Sequence, residues 1–149
     1  MSPTTPHPTD EWVTQQARNF VMEAQDQGLE VCHLIHDWDT KYTERFDQLL
    51  KSEDVEVHRL GPVKPNLNAF AERFVQTLQQ EALDHFVVLG EKHLNHIASE
   101  YLVHYHEERP HQALGNAPPL KRPPPNQSGD VVCRQRLGGL LRHYHRQAA

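Results

Sequence analysis

The chain has 149 residues, 37% of them hydrophobic, which is enough for about one domain with a modest core. Its mean hydropathy of -0.74 and the lack of a long apolar run argue against a membrane span, and residues 1–8 do not resemble a secretory signal. We therefore expect a soluble, cytoplasmic protein in which the two cysteines, Cys32 and Cys133, are free thiols.

The net charge of -5 conceals a basic C-terminal tail. Residues 121–149 contain six lysines or arginines and one acid, so the tail carries +5 and the remaining chain -10. This composition is compatible with contact to phosphates, and it is also the composition of a solubilising tail that binds nothing.

The first half of the chain has the pattern of helix, strand, helix, strand. Thr9 is a candidate N-cap for a first helix that ends at Gly28, and residues 31–35 form a short apolar run expected of a strand buried on both faces. Thr43 is a candidate N-cap for a second helix, and the alternation over residues 55–57 predicts a second strand.

The second half begins with two predicted helices. The third helix runs to about His85 on an apolar side of Phe70, Phe74, Val75, Leu78 and Ala82. The fourth follows Gly90, ends at Arg109, and carries an apolar stripe that includes Tyr101 and Tyr105, for which core packing is a more economical explanation than base stacking.

The end of the chain is predicted to be a Pro-rich linker from about residue 118, followed by a short amphipathic helix over residues 136–146. Gly138 and Gly139 weaken that helix. The order of elements indicates an α/β fold with a helical C-terminal part and a sheet of which two strands are visible.

Two acids are placed where a ligand site is expected. Asp37 directly follows the first predicted strand, and Glu72 lies in the first turns of the third helix, about 200° from Phe70 and so on its polar side. Phosphodiester chemistry uses such carboxylates because their hard oxygens hold a pair of Mg²⁺ ions. The same spacing also arises among ordinary surface acids.

Three segments make the nuclease interpretation more specific: residues 35–42 (IHDWDTKY), 65–75 (PNLNAFAERFV) and 105–116 (YHEERPHQALGN). In this order they resemble the retroviral-type integrase core of bacterial insertion-sequence transposases, the DDE family. The resemblance extends over nearly the whole chain, including the closing residues 136–144 (RLGGLLRHY).

The resemblance implies a ribonuclease H-like fold and DNA integration or transposition by metal-dependent strand transfer. It matches Asp37 to the second catalytic aspartate and Glu72 to the glutamate, with 34 residues between them; Asp39 is the competing candidate for the aspartate. It also implies Mg²⁺ or Mn²⁺ as the cofactor and DNA as the partner, together with further copies of the chain or an intact transposase subunit.

The sequence departs from the family pattern at the N-terminal end. No residue matches the first catalytic aspartate, so we expect a core that lacks its first three strands and binds two ions only when that aspartate is supplied. The predicted domains are a partial catalytic core over residues 9–117 and a linker with a basic tail over 118–149.

The functional alternatives differ in class. The chain is either part of a catalytic transposase, inactive alone, or a non-catalytic remnant that binds DNA or an intact transposase. A histidine metal site, suggested by His93 and His96 with Glu100 at helical spacing, is a third hypothesis. The candidate phosphate contacts are Lys41, Lys64, Arg73 and Arg109.

Overall fold

The computed structural model describes residues 3–60, 68–120 and 128–147. The chain forms two compact units, Met1–Val75 and Gln76–Ala149, called here the N-terminal and C-terminal units. The described residues form a mixed α/β structure with four α-helices and two small sheets. None of the helices in these ranges combines the length and apolar character needed to cross a membrane.

The N-terminal unit begins with the predicted order of elements: α1 (Asp10–Asp26), β1 (His33–His36), α2 (Glu44–Ser52) and β2 (Glu56–Arg59). Thr9 caps α1 as predicted, because its Oγ1 accepts a hydrogen bond from the Trp12 amide at 3.3 Å. Thr43 occupies the N-cap position of α2, but its hydroxyl donates to Asp10 instead of capping the helix.

β1 and β2 pair in parallel, with α2 as the connection between them. Leu34 lies opposite Val57, and both pack against a core that α1 and α2 contribute, comprising Val13, Ala17, Val21, Phe46, Leu50 and Val55. Helices that cover one face of a parallel strand pair are the arrangement expected of a βαβ unit. The predicted α/β character of this region is confirmed.

The opposite face of this strand pair is open. His33 and His58 are exposed and Ile35 is 43% exposed, so the prediction that the first strand is buried on both faces is wrong for the described structure. The physical reason is that α1 and α2 pack on the Leu34 face. The side chains at alternate positions therefore point to solvent.

α3 (Ala69–Glu81) follows, and a 3-10 turn at Leu83–His85 extends it to the predicted end. The predicted apolar side is only partly packed, because Phe70 is 92% exposed and Val75 is 58% exposed. Ala82, just after the helix, is fully buried.

The C-terminal unit is organised around α4 (Glu91–Glu107). Ile97, Ala98 and Tyr101 of the predicted apolar stripe are buried, and the accessible fraction of Tyr101 is 0%. The core-packing interpretation of Tyr101 is therefore confirmed.

The C-terminal segment is a β-hairpin, not the predicted helix. β3 (Val131–Arg136) pairs antiparallel with β4 (Leu141–Arg146). Leu137, Gly138 and Gly139 all have positive φ, which reverses the chain where the helix was expected to run. The prediction of a helix over residues 136–146 is therefore wrong. The predicted domain boundary between residues 117 and 118 stays a prediction.

Candidate metal centre

Asp37 lies at the carboxyl end of β1, the end of a parallel strand where ligands commonly bind. Its side chain is exposed, and its Oδ1 accepts a hydrogen bond from the Asp39 amide at 3.3 Å. A carboxylate in this position is accessible to a cation from solvent.

Asp39, the competing candidate, is engaged by Lys41. The Lys41 Nζ donates to Asp39 Oδ2 at 2.7 Å, and the Lys41 amide donates to Oδ1 at 3.1 Å. The side-chain hydrogen bond from Lys41 is the main reason that the pKa of Asp39 is lowered, and the same bond raises the pKa of Lys41. Because a cation would have to compete with this ammonium group at Asp39, the structure favours Asp37 over Asp39 as a metal ligand.

A buried polar group anchors the strand end that carries Asp37. His36 Nδ1 lies 2.7 Å from the Asp37 carbonyl oxygen, and its Nε2 lies 3.2 Å from Asp47 Oδ1. The two ring nitrogens of His36 thus contact the end of β1 and the Asp47 side chain of α2. Arg59 donates from Nε to Asp47 Oδ2 at 2.8 Å, which ties the end of β2 to the same carboxylate.

Asp47 and Arg59 are not among the residues that the sequence predicts for this site. Asp47 follows Phe46 on α2 and is itself 7% exposed. The available signal for a buried acid is the position of Asp47 beside the core residue Phe46 on the helix. Its partners, however, come from two strands whose pairing is not visible locally.

Glu72 lies in the first turn of α3 and is exposed, as is Arg73 beside it. The helix buries none of its described residues, so Glu72 is on a solvent-accessible surface. Lys64 lies outside the described residues.

The structure brings Asp37 and Lys41 together in one loop, and Glu72 and Arg73 together on α3. Within residues 3–60 and 68–75 of the N-terminal unit, no described hydrogen bond or ion pair joins the Asp37 and Glu72 carboxylates. Two carboxylates that share cations need not touch, since the metal lies between them. A common metal site formed by Asp37 and Glu72 stays a prediction.

Arg109 is part of an ion pair in the C-terminal unit. Its Nε donates to Glu81 Oε2 at 2.9 Å, and its Nη2 donates to Glu81 Oε1 at 2.6 Å. The Tyr101 hydroxyl also donates to Glu81 Oε2, at 3.1 Å. The Arg109 guanidinium also lies 5.8 Å from the centre of the Tyr105 ring. Its side chain is 27% exposed, so a contact to phosphate would have to share the guanidinium with Glu81.

Glu108 is a buried carboxylate with hydrogen-bond partners on three side chains. It accepts from Arg136 at 2.8 and 3.0 Å and from Arg134 at 3.3 Å, and His104 Nδ1 lies 3.3 Å from its Oε2. Burial raises the pKa of Glu108, but hydrogen bonds from Arg136 and His104 outweigh burial and lower the pKa to about 2. Arg136 also donates to Glu100 at 3.1 Å. Hydrogen bonds therefore join β3 to Glu100 on α4 and to Glu108, the residue that follows the helix.

Asp37 and Glu72 each offer the kind of ligand that hard divalent cations require. Both groups offer carboxylate oxygens at exposed positions, and oxygen is the ligand that Mg²⁺ and Mn²⁺ prefer. The exposed, lightly bonded Asp37 fits this role, whereas Glu108 is surrounded by cationic side chains.

Residues 53–119 match the family model described as the integrase core domain. The matched segment contains Glu72, Arg73 and Arg109, while Asp37 and Lys41 precede it. Neither the comparison with curated proteins nor that with solved structures produced a match.

Proposed function

We propose, from the premise that residues 53–119 belong to the integrase core domain family, that the chain takes part in DNA integration or transposition by metal-dependent strand transfer. Asp37 and Glu72 are the proposed ligands of Mg²⁺ or Mn²⁺. The single observation that supports this assignment most is the exposed Asp37 carboxylate at the end of β1, beside an Asp39 already paired with Lys41.

The proposed fold is ribonuclease H-like. The support is the parallel β1–α2–β2 unit with α1 packed on the same face, followed by α3 carrying Glu72. In such a sheet the proposed chemistry takes place at the edge where the strands end, and Asp37 follows the last residue of β1.

The residues of the chain have distinct proposed roles in the reaction. Asp37 and Glu72 would hold a pair of divalent cations, which would supply activation of the attacking oxygen and stabilisation of the leaving oxygen. Lys41, Lys64 and Arg73 bind the DNA phosphates on either side. A water or a DNA 3′-hydroxyl attacks phosphorus and loses its proton to solvent, while the old phosphorus–oxygen bond breaks and the departing DNA oxygen takes up a proton from solvent.

The chain supplies two of the three carboxylates that the resemblance calls for, so we propose that it is inactive by itself in strand transfer. An oligonucleotide nicking and strand-transfer assay with Mg²⁺ or Mn²⁺ tests this directly. We expect no turnover by the 149-residue chain, and turnover would contradict its proposed dependence on a third carboxylate.

Fusing the first three strands of an integrase core of the same family ahead of residue 9 tests the catalytic assignment. We expect Mn²⁺-dependent nicking that Asp37→Asn and Glu72→Gln each abolish, while Asp39→Asn serves as the matched control and retains activity. Activity that survives both Asp37→Asn and Glu72→Gln would contradict the proposed ligands.

A DNA-binding role without catalysis is the second candidate. The observation that favours it is the outer face of the C-terminal hairpin, where Arg142, Tyr144 and Arg146 are all exposed and alternate along β4. Binding to duplex DNA should then weaken steeply between roughly 50 and 200 mM salt. Salt-insensitive binding would count against phosphate contacts.

A further inference from the structure

The open face of the β1–β2 pair carries a cluster of three metal-ligating side chains: His33, Glu56 and His58. The parallel register places His33 opposite Glu56, and His58 is two residues beyond Glu56 on β2. Residues two apart on a strand share a face, so all three side chains project from the same side of the sheet. This side is opposite the one that α1 and α2 cover.

The ligand atoms are close to one another in all three pairs. His33 Nδ1 lies 3.2 Å from His58 Nε2 and 3.4 Å from Glu56 Oε2, and His58 Nε2 lies 3.5 Å from Glu56 Oε1. In a tetrahedral site with metal–ligand bonds near 2.0–2.1 Å, neighbouring ligand atoms are about 3.3 Å apart. The His33–His58 separation matches that value, and each histidine lies at a similar distance from a different oxygen of Glu56. One ligand atom from each of the three residues lies within 4.8 Å of the other two, so a rotation of the Glu56 carboxylate brings one oxygen close to both histidines.

The three side chains are also accessible. Their exposed fractions are 61% for His33, 64% for Glu56 and 44% for His58, and an ion can therefore enter from solvent. Three protein ligands leave the fourth position of a tetrahedral site open to water or to an added ligand.

We propose that His33, Glu56 and His58 form a binding site for one divalent transition-metal ion of the zinc class. Two imidazole nitrogens and one carboxylate suit Zn²⁺, Co²⁺ or Ni²⁺, whereas Mg²⁺ prefers oxygen ligands. The site is therefore chemically distinct from the proposed Asp37–Glu72 centre. It is also separate in space, since His33 and Asp37 are four residues apart along an extended segment, about 13 Å.

The proposed ion links two strands whose pairing depends on residues far apart in the chain. His33 belongs to β1 and the other two ligands to β2, so one bound ion holds both strands in register. Binding to the folded state alone stabilises that state by mass action. We therefore expect Zn²⁺ to raise the melting temperature of the N-terminal unit without any requirement for DNA.

Calorimetric titration of the chelator-treated full chain with Zn²⁺ tests the proposal. We expect one ion per chain, visible absorption typical of a low-coordinate complex when Co²⁺ replaces Zn²⁺, and no displacement by excess Mg²⁺. The variants His33→Ala, Glu56→Gln and His58→Ala should each weaken binding at least tenfold and remove the Zn²⁺-dependent rise in melting temperature.

His7→Ala is the matched control, because His7 is an exposed histidine of the same unit and should leave Zn²⁺ binding unchanged. Circular dichroism checks that each variant is folded. Stoichiometric uptake that survives His33→Ala and His58→Ala, or no uptake by the folded wild-type chain, would overturn the site. Asp37→Asn should not change Zn²⁺ affinity, so failure of this proposal and failure of the proposed function are distinguishable.

Discussion

The two units hold carboxylates in contrasting ways, and the contrast separates a structural acid from a candidate metal ligand. In the C-terminal unit, Glu108 is 5% exposed and bonded by two arginines and a histidine. In the N-terminal unit, Asp37 is exposed and accepts a hydrogen bond from a backbone amide. A carboxylate already surrounded by cationic donors has little to gain from a metal ion, whereas an exposed one at a strand end can still bind a cation.

The largest effect on stability is expected at Glu108. Glu108→Ala leaves Arg136 and Arg134 without their buried partner, and removing one member of such a group costs about 3–5 kcal/mol. Urea unfolding followed by far-ultraviolet circular dichroism measures the loss. Both tryptophans, Trp12 and Trp38, lie in the N-terminal unit, so their fluorescence transition reports on that unit and serves as an internal control. A loss below about 1 kcal/mol would mean that the buried Glu108 carboxylate does not contribute substantially to the stability of the C-terminal unit.

The second effect is on the pH dependence of stability. Because the pKa of Glu108 is about 2 in the folded chain, against an ordinary value of 4.5, its contribution is complete above about pH 5 and is lost as the pH falls toward 2. The shift corresponds to about 3 kcal/mol. Unfolding free energies of the wild type and Glu108→Gln should therefore differ by a constant amount above about pH 5 and converge as the pH falls toward 2. Parallel pH profiles for the two proteins would contradict the assigned pKa.

The two kinds of site also differ in how far the sequence could predict them. Thr9 as the cap of α1, the β1–α2–β2 order and Asp37 at the end of β1 all follow from signals within a few residues. The Glu108 group could not be predicted in this way. Arg134 and Arg136 reach it from β3, and the leucines that follow β3, Leu137, Leu140 and Leu141, have helical spacing in the sequence.

The histidines show the same limit. The sequence spacing predicts His93 and His96 as metal ligands, but His93 Nδ1 accepts a hydrogen bond from the Leu89 amide at 3.1 Å. Among the described residues, the potential metal ligands that lie close together are His33, Glu56 and His58. That group depends on the parallel register of β1 with β2, which local sequence does not reveal. Local signals predict elements and their ends, while clusters formed by strand pairing require the three-dimensional structure.

A smaller effect is expected for DNA binding at Lys41. Lys41→Ala should weaken duplex binding for all sequences alike and reduce the slope of log affinity against log salt by about one, as loss of one phosphate contact does. Lys51→Ala, an exposed lysine on α2, is the matched control and should leave the slope unchanged. Fluorescence anisotropy across a salt series measures both variants. Equal slopes for Lys41→Ala and the wild type would remove Lys41 from the proposed contacts.

The smallest effect on stability is expected at Asp37 itself. Asp37→Asn replaces an exposed group, so the unfolding free energy should change by no more than about 0.5 kcal/mol. Tryptophan fluorescence during urea unfolding measures this change directly in the N-terminal unit. A loss as large as that of Glu108→Ala would make Asp37 a structural carboxylate and erase the contrast between the two units.

The proposed metal centre requires Asp37 and Glu72 to bind the same cation. Paramagnetic broadening of backbone amide signals by low concentrations of Mn²⁺ measures this, with His58→Ala as the background so that the proposed histidine site does not contribute. We predict that signals around Asp37 and around Glu72 broaden together over the same titration range, and that Asp37→Asn protects both sets. Broadening confined to one of the two segments would contradict a common metal centre.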